Sequence, residues 1–256
     1  MDALLPDATS SSATPAYHIG CSGFHYRHWR GSFYPEKLPQ RRWFEFYQQH
    51  FRTLELNVTF YRFPQLSALE SWYQQSPPDF RFSVKAPRLI THYKQFHDCA
   101  QLLADFYGTV QEGLREKLGP VLFQLPPRLP YSEERLARIT GSLDPTCRNV
   151  VEFRHPSWWL GHVYQELARR RIAFVGQSHP ALPDEVIPNT PLLYYRFHGV
   201  PELYKSPYPE EFLRRVRQEI EADGRVREAY LYFNNDIDAS AIGNARQMLA
   251  LTSADR

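Results

Sequence analysis

The chain has 256 residues, of which 43% are hydrophobic and 15% aromatic, and its formal net charge is only +2. That is enough apolar material for one large core, at a length α/β barrels often reach as a single domain, while so weak a basic balance does not by itself call for nucleic acid. Three scattered cysteines, Cys21, Cys99 and Cys147, form no C-x-x-C pair and so indicate neither a disulfide framework nor a cysteine zinc site.

The opening residues, M-D-A-L-L-P-D-A-T-S-S-S-A-T-P-A, lack the basic and apolar regions of a signal peptide and read as a disordered tail over residues 1–16. From residue 17 to 256 the chain reads as one domain of alternating strands and helices. The first strand is Tyr17 to Ser22. A helix follows over Gln40 to His50, with Pro39 near its start. Strand two is Thr53 to Asn57, its helix Leu66 to Gln75. Strand three is Phe80 to Lys85. A long helix spans Cys99 to Leu118, with Gly119-Pro120 as its stop. Strand four is Val121 to Leu125, and Ser132 with Arg135 opens a helix that ends near Gly141. Strand five lies in N-V-V-E-F-R-H-P-S-W-W, and Ser157 is the expected N-cap of a helix reaching Arg170. Strand six is Ile172 to Gly176. Strand seven is Leu192 to Phe197, its helix Glu210 to Ala222. Strand eight is Ala229 to Asn234, and Asp238 is placed to cap a last helix running to Leu251. Eight strands, most followed by a helix, predict an α/β fold, a single (β/α)8 TIM barrel. No G-x-G-x-x-G spacing supports a doubly wound sheet.

Side chains alternate between the two faces of a strand. One face is apolar throughout, with Leu54, Leu56, Phe82, Val84, Phe123, Val151, Phe153, Tyr195 and Phe233 among its members. The other carries Glu55, Asn57, Lys85, Gln124, Glu152, Arg154, Arg196, His198 and Asn234, mostly late in each strand. Barrel enzymes build their sites at that end, so these residues are expected to line the upper lumen, with His155 at the rim. A mutually neutralising buried network is the alternative.

The residue types suggest chemistry. Glu55 and Glu152 can act as a general acid and base pair if their environments differ. Lys85, Arg88, Arg154 and Arg196 make the pocket cationic, which calls for a phosphate ester or carboxylate. His25, His92, His155 and His198 fall near Glu55, Glu152 and Asp236, yet without metal-ligand spacing, so a tightly bound metal is not favoured and the cofactor is left open. Loop aromatics, Tyr61 and Tyr204 among them, interleave with arginines and can stack on bases or sugars.

The motifs G-C-S-G-F-H-Y-R-H-W-R-G-S-F-Y-P, L-E-L-N-V-T-F-Y-R-F-P, F-S-V-K-A-P-R-L-I-T-H, G-P-V-L-F-Q-L-P-P, V-E-F-R-H-P-S-W-W, Y-Y-R-F-H-G and Y-L-Y-F-N-N-D occur in this order. Together they resemble the domain-of-unknown-function 72 family of YecE-like barrels, from about Tyr17 to Leu251. The resemblance implies a TIM barrel with distant fold similarity to endonuclease IV and xylose isomerase. It implies recurrent polar positions at Ser22, Glu55, Asn57, Tyr61, Lys85, His92, Gln124, Glu152, Arg154, His155, Arg196, His198, Asn234, Asn235 and Asp236. It supplies no reaction. At Gln177 this chain departs from the Asp that many relatives carry after strand six.

The expectation is therefore an enzyme doing acid/base chemistry at the barrel's C-terminal mouth. Glu152, His155, His198 and Glu55 are assigned the proton transfers. Ser22, Asn57, Tyr61, Lys85, Arg88, His92, Gln124, Arg154, Arg196, Tyr204, Asn234, Asn235 and Asp236 are assigned to binding an anionic small molecule. Glu152→Gln is expected to spare the fold and abolish turnover. A nucleic-acid-binding or endonuclease IV-like DNA-processing protein and a non-catalytic metabolite sensor are the alternatives. A cytoplasmic location fits the cysteines, and no apolar run reaches membrane-spanning length.

Overall fold

The β-branched and aromatic runs form eight parallel strands, and the amphipathic segments between them pack outside. A computed structural model of the chain describes residues 14–253. The strands are β1 Ala16–Cys21, β2 Thr53–Leu56, β3 Arg81–Lys85, β4 Leu118–Gln124, β5 Asn149–Glu152, β6 Ala173–Ser178, β7 Leu192–Phe197 and β8 Glu228–Phe233. The helices are α1 Trp43–Tyr47, α2 Val58–Tyr61, α3 Leu66–Gln75, α4 Ala100–Leu114, α5 Glu133–Ser142, α6 Gly161–Arg169, α7 Glu210–Ala222 and α8 Ser240–Ser253. The ladder runs β1-β8-β7-β6-β5-β4-β3-β2, the cyclic order of the predicted (β/α)8 TIM barrel. Most of the predicted tail lies outside the described residues, and Ala16, its last residue, already pairs with Glu228 in the sheet.

Closure between β1 and β2 is made differently from the other seven junctions. Ser22 forms a single bridge to Glu55, and the Gly23 amide donates to the Glu55 carbonyl at 2.9 Å. Below that point the Tyr47 hydroxyl stands between the strands. It accepts from the Cys21 amide at 2.9 Å and donates to the Thr53 carbonyl at 3.0 Å. Gly20 is needed beside it, because a Cβ there would fall 2.4 Å from the Thr53 carbonyl oxygen.

Two apolar layers result. The large one lies between sheet and helices, with Leu54, Phe82, Phe123, Val151, Leu193 and Phe233 from the strands. The small one fills the lower lumen with Leu122, Val150, Ala173, Val175, Tyr194, Tyr230 and Tyr232. The tyrosines bring apolar bodies and polar tips. Tyr232 bonds Ser83 Oγ at 2.9 Å across the barrel, and Tyr194 donates to Glu55 at 2.6 Å. The lower lumen is thus plugged; below the plug His18 stacks on Tyr230 at 4.2 Å beside the Arg148–Glu228 ion pair, while the polar residues assigned to the site lie toward the upper end.

Several boundaries differ from the sequence reading. The first helix is a 3-10 turn, Gln40–Arg42, running into the five residues of α1. The long helix stops at Leu114, where Arg115 takes a positive φ of 50°. Gly119 and Pro120 do not stop it but lie inside β4, next to an irregularity in its pairing with β3. A proline has no ladder N–H to give, and such an irregularity tolerates it. Ser157 caps no long helix. It sits in a 3-10 turn, Pro156–Trp158, capped by the His155 side chain, and extended backbone at Leu160 delays α6. Ala239, with φ 57°, separates Asp238 from α8. None of the helices in the described residues is long and apolar enough to cross a membrane.

Candidate active site at the barrel mouth

Arg196, near the end of β7, is the centre of the polar layer. Its Nη1 donates to Glu152 Oε2 and its Nη2 to Glu55 Oε1, each at 2.6 Å. Nη2 also reaches Ser22 Oγ at 3.5 Å. Arg196 is 1% exposed and both carboxylates 0%. Tyr194 holds the second oxygen of Glu55, and Arg154 Nε donates to the second oxygen of Glu152. Burial pushes the Glu152 carboxyl up, but the guanidiniums of Arg154 and Arg196 outweigh it and hold it well below the usual carboxylate range. Glu152 is therefore ionised, and both carboxylates are fully engaged.

His198 completes this floor. Arg154 Nη2 lies 2.9 Å from His198 Nε2, and Asn234 Nδ2 3.1 Å from its Nδ1. A guanidinium only donates, so Nε2 accepts. Burial, then Arg154 and Arg196, push this imidazole well below its ordinary value, so the ring is neutral. Its one proton is on Nδ1, and Asn234 must turn its amide oxygen toward it. Both ring nitrogens are occupied, and the ring is 0% exposed.

The groups left open stand above. Lys85 ends β3 at 8% exposure with Nζ 4.2 Å from the Phe60 ring centroid. Arg88 lies 5.6 Å from the Tyr61 ring and 5.5 Å from that of Tyr93, both exposed. His92 packs edge-on to Phe60 at 5.0 Å, with Nδ1 on Thr91 Oγ1 at 2.9 Å. His155 receives the Ser157 amide and hydroxyl at Nδ1, which leaves Nε2 without a partner among the described residues. Gln124 is half-buried, its Nε2 on the Leu125 carbonyl at 3.3 Å. The exposed Tyr204 stands over His198 at 5.9 Å.

Some assigned positions point elsewhere. Asn235 is turned into the fold, donating to the Ser206 carbonyl at 3.1 Å and Asn244 Oδ1 at 2.9 Å. Asp236 ties the long loop after β1 to the end of β8. Its Oδ1 receives Trp29 Nε1 at 2.5 Å, and its Oδ2 lies 3.0 Å from His28 Nε2. Burial outweighs the Trp29 and His28 contacts and pushes its carboxyl up to about 6. A raised carboxyl favours folding below its unfolded value, and that contribution is lost as pH rises through 6. Asp236→Asn keeps an acceptor for Trp29 and removes the titration. The variant's melting temperature relative to wild type should rise between pH 4.5 and 7.5, and a constant difference would remove the assignment.

Asn57 lines a separate cavity of about 470 Å³ beside the mouth, walled by Phe24, Phe63, Leu69 and Trp72, with His25 at its edge. The Asn57 Oδ1 is buried there without a partner. Sequence reasoning gave no sign of this cavity, because its walls come from the loop after β1, from α2 and α3, and from the loop between those two helices. It also passed over His179, whose ring lies 5.9 Å from that of His198 and is pushed down to about 4 by burial and then Arg154. Its one signal was position, directly after β6. Gln177 is fully buried and donates to the Phe153 carbonyl at 2.8 Å, a bond an ionised Asp cannot make. Among the described residues no three His, Cys, Asp or Glu side chains converge as a metal site.

Eight parallel strands with a plugged base and a charged, partly open top define a TIM-barrel protein with its candidate site at the strand C-termini. The chain belongs to the family described as "Protein of unknown function DUF72", which matches residues 18–256. It is 26% identical over 261 residues to the UPF0759 protein YunF of Bacillus subtilis, covering 86% of this chain and 90% of that one. The UPF0759 protein YecE of Escherichia coli is 32% identical over 127 residues, 49% of this chain and 46% of its own. Among solved structures, a DUF72 family protein of Thermotoga maritima matches with a TM-score of 0.85 at 29% identity, over 93% of this chain and 99% of that one. One of Enterococcus faecalis matches at 0.73 and 18% identity, over 93% and 95%, and shows the same fold.

Proposed function

We propose that this protein is an enzyme that performs acid/base chemistry on an anionic substrate, a phosphate ester or carboxylate, at the barrel mouth. The observation that carries this reading is a charge imbalance. Glu55 and Glu152 are both taken by Arg196 and Arg154, so Lys85, buried at the end of β3, and Arg88, exposed just beyond it, have no carboxylate partner among the described residues. A partly desolvated cation of this kind is completed by a ligand's negative charge. The sealed positions of Glu152 and His198 make them positioning groups that hold Arg154. The proton-transfer role passes to the buried but unpartnered Lys85 and to the partly exposed His92 and His155.

A thermal-shift series with inorganic phosphate, glycerol 3-phosphate and gluconate tests the reading. A ligand at a hundredfold over its Kd stabilises the native state by about 2.7 kcal/mol. Stabilisation by one of these anions is expected, and Lys85→Met and Arg88→Met should each abolish it. Equal stabilisation of wild type and both variants would remove the site from consideration. Turnover of the stabilising ligand separates the enzyme from a sensor.

A second reading has its own observation. Arg88 lies between Tyr61 and Tyr93, which are 65% and 66% exposed, an arrangement on which unpaired bases can stack. Single-stranded DNA binding that falls steeply with salt and is lost in Tyr61→Ala would favour it.

A further inference from the structure

Two lysines are buried in the described residues, in opposite surroundings. Lys117 gives its ammonium three acceptors, the Tyr73 carbonyl at 2.6 Å and the Ser76 carbonyl and hydroxyl at 2.7 and 3.0 Å. It is a satisfied structural cation. Lys85 donates to no hydrogen bond and joins no ion pair among the described residues. It meets the face of Phe60, which offers a π-surface and no lone pair. The carboxylates near enough to act on it are held by Arg196, Arg154 and Tyr194. A buried amine without an acceptor is better placed neutral than charged. Burial and then the Arg196 charge push Lys85 down to about 7, with Glu152 and Glu55 opposing. Near neutral pH about half of such a lysine carries a free lone pair, the state a nucleophilic amine needs.

We propose that Lys85 is an amine nucleophile that forms an imine with the carbonyl carbon of an anionic aldehyde or ketone held at the barrel mouth. This rests on the anion-binding reading above and adds the reacting group. The Nζ lone pair attacks the carbonyl carbon, an N–C bond forms, and the carbonyl π pair moves to oxygen. One proton passes from nitrogen to oxygen to give the carbinolamine. A second proton, taken from solvent at the open mouth, lets the C–O bond break. The products are water and a protonated imine, with no change of oxidation state. His92 packs on the same Phe60 ring. It is neutral because burial, and then Lys85 itself, push it down to about 4, so it can accept the nitrogen proton and return it to oxygen. Arg88, exposed and without a carboxylate partner among the described residues, is the cation left for the substrate's anionic group. The protonated imine then withdraws the electron pair of a bond at the adjacent carbon, which places the substrate among carbonyl compounds cleaved or isomerised at that position.

The test is reductive trapping on the full chain at pH 7.5 with cyanoborohydride, using glyoxylate and, in parallel, the uncharged acetaldehyde. Peptide mass spectrometry then reads each lysine. Labelling of Lys85 by glyoxylate is expected to exceed that of Lys37, Lys94 and Lys205 at least tenfold and to rise with pH through about 7. Excess inorganic phosphate should suppress it, and Lys117 should stay unmodified. Lys85→Arg keeps the charge, so it should retain phosphate stabilisation while losing the label. Preferential labelling of Lys85 by acetaldehyde but not by glyoxylate would keep the nucleophile and remove the anion site. Label confined to the surface lysines with both reagents would overturn the proposal, whatever phosphate does to the melting temperature.

Discussion

Arg196→Met is expected to lower the melting temperature at pH 7.5 by about 6–20 °C. Removing one partner of a buried ion pair costs about 3–5 kcal/mol, and each kcal/mol moves a domain of this size by about 2–4 °C. The upper half of that range is the natural expectation, because Arg196 serves two carboxylates. The pH dependence identifies the cause. Arg196 is one of the two guanidiniums that hold the Glu152 carboxyl well below its usual range, so in the variant that carboxyl is lowered less. A lowered carboxyl stabilises the fold above its unfolded value, about 4.3, and that contribution is lost as pH falls through the folded one. The gap between variant and wild type should therefore narrow as pH falls from 7.5 toward 3. A uniform loss across that range would point to packing alone.

Glu152→Gln is expected to destabilise the protein by about 3–5 kcal/mol, contrary to what the sequence suggested for it. The carboxylate joins Arg154 to Arg196 at zero exposure, so a neutral amide leaves two guanidiniums confronting each other across the mouth. The wild-type carboxyl is held below its unfolded value. Its contribution is present above that unfolded value, about 4.3, and disappears as pH falls through the folded one. The variant should lose stability less steeply in acid than wild type does. Urea denaturation at pH 7 and pH 4 measures both effects, and equal wild-type and variant midpoints at pH 7 would refute the ion-pair account. Any loss of activity in Glu152→Gln must then be read at a temperature where the variant is folded.

The barrel was legible because its signals are local. Strand seven occupies Leu192–Phe197 as the alternation of apolar and polar residues placed it. The upper-lumen face of Glu55, Lys85, Glu152 and Arg196 follows from the same two-residue period. What alternation could not convey is which of these charges have partners. Lys85 and Arg196 are both strand-end cations on the lumen face, yet Arg196 is clamped by two carboxylates and Lys85 has none among the described residues. That difference depends on which side chains reach across a closed barrel, and on Tyr194 and Arg154 filling the remaining carboxylate oxygens. His155 was similarly ambiguous. Its place at the rim was readable, whereas its capping of the Pro156–Trp158 turn depends on a backbone change at Leu160. Gly119-Pro120 misled because the dipeptide usually ends a helix, and only the uneven β3–β4 pairing admits it to a strand.

The phenol of Tyr47 has a kinetic consequence. At the other seven junctions, neighbouring strands are zipped by successive main-chain bonds. Here one side-chain hydroxyl acts as a clasp above which Ser22 and Glu55 meet. Releasing a clasp takes a rotamer change of one ring, whereas unzipping a ladder breaks several bonds together. The Cys21 amide should therefore be among the first strand amides to exchange with deuterium. The wall that yields would carry Ser22 and Glu55 with it, giving the charged layer one hinged side on an otherwise rigid cylinder.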